Sequence, residues 1–231
     1  MIKNIKKFLR ENKHTAGFYK RLYNLRHYKL YRMEKERLKC MHKNGVELVH
    51  FIQDTLNGEF FFFDMGTLLG IIREGRLLGH DLDVDIGVIM EGEDTIERIR
   101  TIFKDAGCEH VRAFVIDEIG VGEDSFSYKD IRFDVGYYRQ KEDKSVMYLT
   151  YKNPEVTLPQ GTMNVVELSV SRINALDSVE FNGKQVNVPQ NSEAYLAERY
   201  GANWRIPDKG YIYWKGPSTK PVDLTAKQII T

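Results

Sequence analysis

The chain has few cysteines, almost no net charge and no long uninterrupted apolar run. Its two cysteines among 231 residues, Cys40 and Cys108, match no metal-ligand spacing and no disulfide framework. That pattern excludes a zinc-stapled or disulfide-stapled minidomain and points to a reducing compartment. The opening residues MIKNIKKFLRENKH carry charge but no apolar segment of signal-peptide type, and the longest apolar run stops at Asp64. Neither a secretion signal nor a membrane span is therefore expected. The cytoplasm is the expected compartment, with the inner face of the cell membrane as the alternative surface location. Internal repeats and low-complexity tracts are also missing. At this length one core of ordinary size can form without covalent staples.

The formal charge of +1 conceals an uneven distribution. Residues 1–45 hold 14 Lys and Arg against 3 acids, and the remainder holds 20 against 30. Within that basic arm Phe18, Leu22 and Leu25 fall at helical spacing, as do Tyr19, Tyr23 and Leu30, with Lys20, Arg21, Arg26, Lys29 and Arg32 between them. A basic amphipathic helix of this kind can lie on an anionic bilayer, hold an acidic polymer, or solvate a helix packed on the domain. A second helix is expected over 33–56, with an apolar stripe through Leu38, Met41, Val46, Val49, Ile52 and Leu56 and a stop at Asn57-Gly58. The expected organisation is a basic helical extension over 1–57 and a catalytic domain over 58–231.

The most informative stretch is residues 60–90, FFFFDMGTLLGIIREGRLLGHDLDVDIGVIM. A strand-length apolar run leads into Asp64-Met65-Gly66-Thr67, where Thr67 is the expected N-cap of a short helix. Free N–H groups and the positive dipole end of that helix would suit a phosphate, and Gly66 would allow close approach. Next come Asp81, Asp83 and Asp85. On a strand, residues two apart share a face, so three carboxylates would line one side while Leu82, Val84 and Ile86 pack on the other. Like charges that close destabilise one another unless a cation intervenes, and hard oxygen donors suit Mg²⁺ or Mn²⁺. A solvated acidic turn is the plainer alternative.

Downstream, a helix is expected over 95–105 and strands over 110–116, 124–128, 130–138, 144–152 and 163–172. A hairpin about Asn182-Gly183 and a helix over 192–200 follow. In IRFDVGYY, parity puts Asp134 on the face opposite Ile131, Phe133 and Val135. A two-cation site needs a carboxylate from a neighbouring strand, which makes Asp134 the candidate, with Asp130 and Asp124 as competitors. Trp204, Tyr211, Tyr213 and Trp214 crowd a Pro- and Gly-containing segment that could stack a base or a sugar, or cover the core.

The run GTLLGIIREGRLLGHDLDVDIGV resembles the signature of the LicD and fukutin-related family, commonly close to GTLLGAxRxxxFIPWDDDIDIG. A second stretch over 179–207, VEFNGKQVNVPQNSEAYLAERYGANWRIP, is similar to that family's C-terminal pattern of a hairpin, a V-x-V-P-x-N segment and a helix ending in Y-G-x-x-W-x-x-P. The sequence departs from the pattern at His80-Asp81-Leu82-Asp83, where tryptophan is replaced by histidine and one acid by leucine. The resemblance implies an α/β nucleotidyltransferase-like fold, a mixed sheet with flanking helices. It also implies transfer of a phospho-alcohol such as phosphocholine or ribitol phosphate from a CDP-alcohol donor to a glycan or glycolipid acceptor, with release of CMP.

In this reading Asp83, Asp85 and Asp134 are the catalytic carboxylates, and together with Asp81 they hold Mg²⁺ or Mn²⁺. Gly66, Thr67 and Arg73 contact phosphate, while His80 contacts substrate, supports the site or serves as a base. For Arg73 a salt bridge to Glu74 is the plainer use. Nucleic acid is not an expected partner; membrane contact would run through the N-terminal helix. Two rivals remain: a true nucleotidyltransferase releasing pyrophosphate, and a non-catalytic polyanion-binding module.

Overall fold

The computed structural model of the chain describes residues 16–153 and 155–230, with the side chains of 16–20 and 22–27 also left out of account. The expected apolar face through Phe18, Tyr19, Leu22, Tyr23 and Leu25 lies outside the described residues. One helix, α1 (Ala16–Thr55), replaces the two read from sequence. Its second half is not an appendage: Met41, Leu48, Val49 and Ile52, at helical spacing, are buried in the main core with Leu56 just beyond. Earlier on the same helix Tyr28, Leu30, Tyr31 and Met33 are exposed. The boundary drawn at residue 57 therefore cuts through a shared core. Among the described residues no helix is long and apolar enough to cross a membrane.

After α1 come β1 (Phe61–Phe63), α2 (Met65–Glu74), β2 (Asp83–Ile89) and α3 (Thr95–Asp105). Then follow β3 (Glu109–Ile116), β4 (Gly120–Tyr128), β5 (Ile131–Lys141), β6 (Lys144–Tyr151) and β7 (Thr162–Ser171). The hairpin β8 (Leu176–Phe181) and β9 (Lys184–Pro189), α4 (Ser192–Tyr200) and β10 (Thr219–Ile230) complete the order. The sheet is mixed, as expected, but it is not an open sheet. Its order β1-β2-β5-β4-β3-β10-β7-β6 closes on itself because β6 also pairs with β5. Six strands make a barrel, and β2 with β1 extends from β5. Closure removes the exposed edges that an open sheet would present.

The closing strand, β10, is absent from the sequence reading. Its alternation is weak, and it is held from both sides: Ala226 pairs with Ile116 of β3 and Met163 of β7. Two larger cores flank the sheet. One gathers α1, α3 and Val84, Ile86, Phe133 and Val135, and the other gathers Leu68 and Leu69 of α2 with Leu196 of α4. The inward parity of β2 and β5 is what leaves their acidic residues on the opposite face.

Candidate active site

The only parallel pairing among the described residues, β2 with β5, sets Asp83 opposite Arg132 and Asp85 opposite Asp134. Asp83, Asp85 and Asp134 line one cleft of about 1460 Å³, together with Asp81, Arg73 and His80. Burial and the nearby Asp134 push the Asp83 carboxyl above its ordinary range. Asp85 is pushed well up, by burial first and then by Asp83, Asp134, Asp64 and Asp81, all of the same sign. Asp134 Oδ1 is buried with no hydrogen-bond partner. A polar oxygen left in that state costs free energy unless something positive reaches it.

Arg132 partly offsets this charge, as do two arginines to which sequence parity alone did not point. Arg37 of α1 donates to the Leu82 carbonyl at 3.2 Å and sits 3.7 Å from Asp83. Arg112 of β3 donates to Ser125 Oγ at 2.8 Å and lies 3.5 Å from Asp134 and 3.9 Å from Glu123. Glu123 is a further cleft carboxylate that the sequence reading missed, pushed up to about 8 by burial and by Asp134.

Three expectations need correction. The strand begins at Asp83, so Asp81 lies in the preceding loop and does not share a strand face with Asp83 and Asp85. It packs on the start of α2, where a Cβ at Gly66 would meet Asp81 Oδ2 at 2.7 Å, and burial pushes its carboxyl up to about 6. The close approach that Gly66 permits is thus to a carboxylate of the chain itself. Thr67 is not the N-cap. Asp64 is, accepting from the Met65 N–H at 2.7 Å, while buried Thr67 accepts from the Asp85 N–H at 2.9 Å and braces β2.

Arg73 keeps its plainer contact, Glu74 at 2.9 Å, yet it also donates to the Trp204 carbonyl at 3.3 Å and lines the cleft. His80 is largely exposed, 3.7 Å from Asp81. The two competitors to Asp134 lie elsewhere. Asp124 is clamped by Arg100, His110 and Tyr137, and Asp130 is exposed in the β4–β5 turn.

Among the described residues no group of three or more His, Cys, Asp or Glu is drawn together as a finished metal cage. The donor chemistry nonetheless fits a hard divalent ion: buried carboxylates on adjacent strands, one oxygen without a partner, and Asp85 ringed by four other acids. Metal ligation by Asp81, Asp83, Asp85 and Asp134 remains a proposal.

The family model described as LicD/FKTN/FKRP, nucleotidyltransferase domain, matches residues 58–191. Among curated proteins, the chain is similar to the ribitol-5-phosphate transferase FKTN of Homo sapiens. The identity is 28% over 184 residues, covering 76% of this chain and 36% of that protein. The mouse protein of the same name, from Mus musculus, is 27% identical over 190 residues, covering 78% of this chain and 37% of its own length. The chain thus spans little more than a third of the length of these relatives. A crystal structure of ANT(2")-Ia in complex with adenylyl-2"-tobramycin is also similar, with 16% identity, a TM-score of 0.43, and coverage of 73% of this chain and 82% of that one.

Proposed function

Because this chain belongs to the LicD/FKTN/FKRP family, matched through its nucleotidyltransferase domain, we propose that it is a metal-dependent transferase. It moves a phospho-alcohol group from a CDP-linked donor to a hydroxyl of a glycan or glycolipid and releases CMP. The observation that carries this reading is the parallel β2–β5 register, with Asp85 beside Asp134 and Asp83 one face-position away in the same cleft. The relatives' name, ribitol-5-phosphate transferase, makes ribitol phosphate the first group to test.

The reaction forms a bond from the acceptor oxygen to the phosphorus bearing the alcohol and breaks the bond from that phosphorus to the CMP oxygen, while the hydroxyl proton passes to a base. Asp83, Asp85 and Asp134 would hold Mg²⁺ or Mn²⁺. A bound divalent ion supplies charge neutralisation on the diphosphate and acidifies the hydroxyl. The chain's own share is alignment and exclusion of water. Thr67 fixes the backbone of Asp85, Arg112 orients Asp134, and Arg37 ties α1 to the start of β2. Asp81 and Glu123, among the cleft carboxylates outside the β2–β5 pair, are candidates to take the proton. Incubation with CDP-ribitol, CDP-choline, CDP-glycerol and nucleoside triphosphates, following CMP and pyrophosphate, tests the reading. CMP from a CDP-alcohol supports it, and pyrophosphate from a triphosphate favours nucleotidyl transfer.

A further inference from the structure

The cleft is lined by cations as well as by carboxylates. Arg199, near the end of α4, is 1% exposed and lines the cleft. Its Nη2 donates to Met65 Sδ at 2.9 Å, a weak acceptor, and its Nε and Nη1 are buried with no hydrogen-bond partner. The neighbouring acid, Asp64, is already satisfied: Oδ1 accepts from the Met65 N–H and the Tyr195 hydroxyl, and Oδ2 accepts from the Tyr138 hydroxyl. Arg73 lies on the same cleft with its Nε also buried and unpartnered. Two guanidinium groups with unused donors therefore line the same cavity as the carboxylates.

A buried cation without a paired anion is unfavourable, and an incoming anion removes the deficit. The start of α2 already carries negative charge, with Asp64 capping it and Asp81 lying over Gly66. A planar guanidinium fork matches phosphate oxygens in pairs, and the Met65 thioether covering it sits on a flexible stem that can yield to a stronger acceptor.

We infer that Arg199, assisted by Arg73, binds the diphosphate of the nucleotide donor in the cleft that Asp83, Asp85 and Asp134 also line. The inference rests on the donor being a nucleoside diphosphate derivative. It makes Arg199 a substrate-binding residue, and Met65 the group its phosphate displaces.

The test is calorimetric titration of the full chain, in Mg²⁺, with inorganic pyrophosphate, CDP and cytidine, for wild type, Arg199→Met and Arg199→Lys, alongside their melting temperatures. Affinity for pyrophosphate and CDP should fall roughly 30-fold or more in Arg199→Met and by a smaller factor in Arg199→Lys, with cytidine affinity unchanged. The ligand-free melting temperature of Arg199→Met should not drop. Wild-type pyrophosphate binding in both variants overturns the inference. So does a much lower melting temperature in Arg199→Met combined with wild-type binding in Arg199→Lys, which would make Arg199 a structural counter-charge to Asp64. If Arg199→Met does not fold, Arg199→Lys alone decides. If the pyrophosphate and CDP results come out as expected but no CDP-alcohol yields CMP, the anion site stands and the transfer reading falls.

Discussion

Asp83 and Asp85 carry the chemistry in this account, and each is held in a state that the bare chain resists. Asp83→Asn and Asp85→Asn should each fold, because amides remove the repulsion, while CMP release falls by about a thousandfold or more through loss of a cation ligand. Single-turnover assays with matched melting curves check both halves. The raised carboxyls also fix a direction for stability against pH. A carboxyl held above its unfolded value keeps its proton in the folded state after the unfolded chain has lost it, so unfolding free energy falls as pH rises between the two. With Asp81 near 6, Glu123 near 8 and Asp85 well up, metal-free protein should lose stability as pH climbs from the ordinary carboxylate range, roughly 4, to about 8. Melting temperatures across that window in EDTA should decline, and Mg²⁺ should flatten the decline. At this scale the sequence was informative where parity operates and silent where it does not. Asp134 followed from alternation in IRFDVGYY. Arg37, Arg112, Glu123 and Arg199 had no local signal, because each reaches the cleft from an element whose position depends on distant pairing. Alternation does not extend to Asp81, because the strand begins two residues after it.

Among the elements, α1 has two halves with different duties. Met41, Leu48, Val49 and Ile52 of the second half are core, although Val46 of the expected stripe is exposed, so Ile52→Ala should cost about 2–5 kcal/mol in chemical denaturation, the usual range for a buried large-to-small change. The first half carries exposed Tyr28, Leu30, Tyr31 and Met33 beside Lys29, Arg32 and Lys35. Deleting residues 1–32 leaves Arg37 and the core in place. Turnover on a small soluble acceptor should persist, while sedimentation with anionic vesicles should fall, and fall further with added salt. Undiminished vesicle binding by the truncated chain would remove the surface-contact reading. The hairpin at Asn182-Gly183 and the helix over 192–200 were legible because turn residues and 3.6-residue periodicity are local signals. β10 was not, since Thr219–Ile230 alternates poorly and is fixed by β3 and β7 on either side.

For the molecule as a whole, the sequence conveyed the family and the mixed α/β character, but not the closed barrel, whose closure depends on pairings far apart in the chain. β5 is both a barrel strand and the parallel partner of β2, so the register between them sets where the carboxylates stand. The central claim is that this geometry performs divalent-ion-dependent phospho-alcohol transfer. The most direct measurement is CMP release from CDP-ribitol and the other CDP-alcohols by the wild-type chain and Asp85→Asn, each with Mg²⁺ and with EDTA. The account predicts CMP from at least one CDP-alcohol only in wild type with Mg²⁺. CMP release that ignores EDTA or survives Asp85→Asn would contradict it, as would pyrophosphate release from a nucleoside triphosphate with no CMP from any CDP-alcohol.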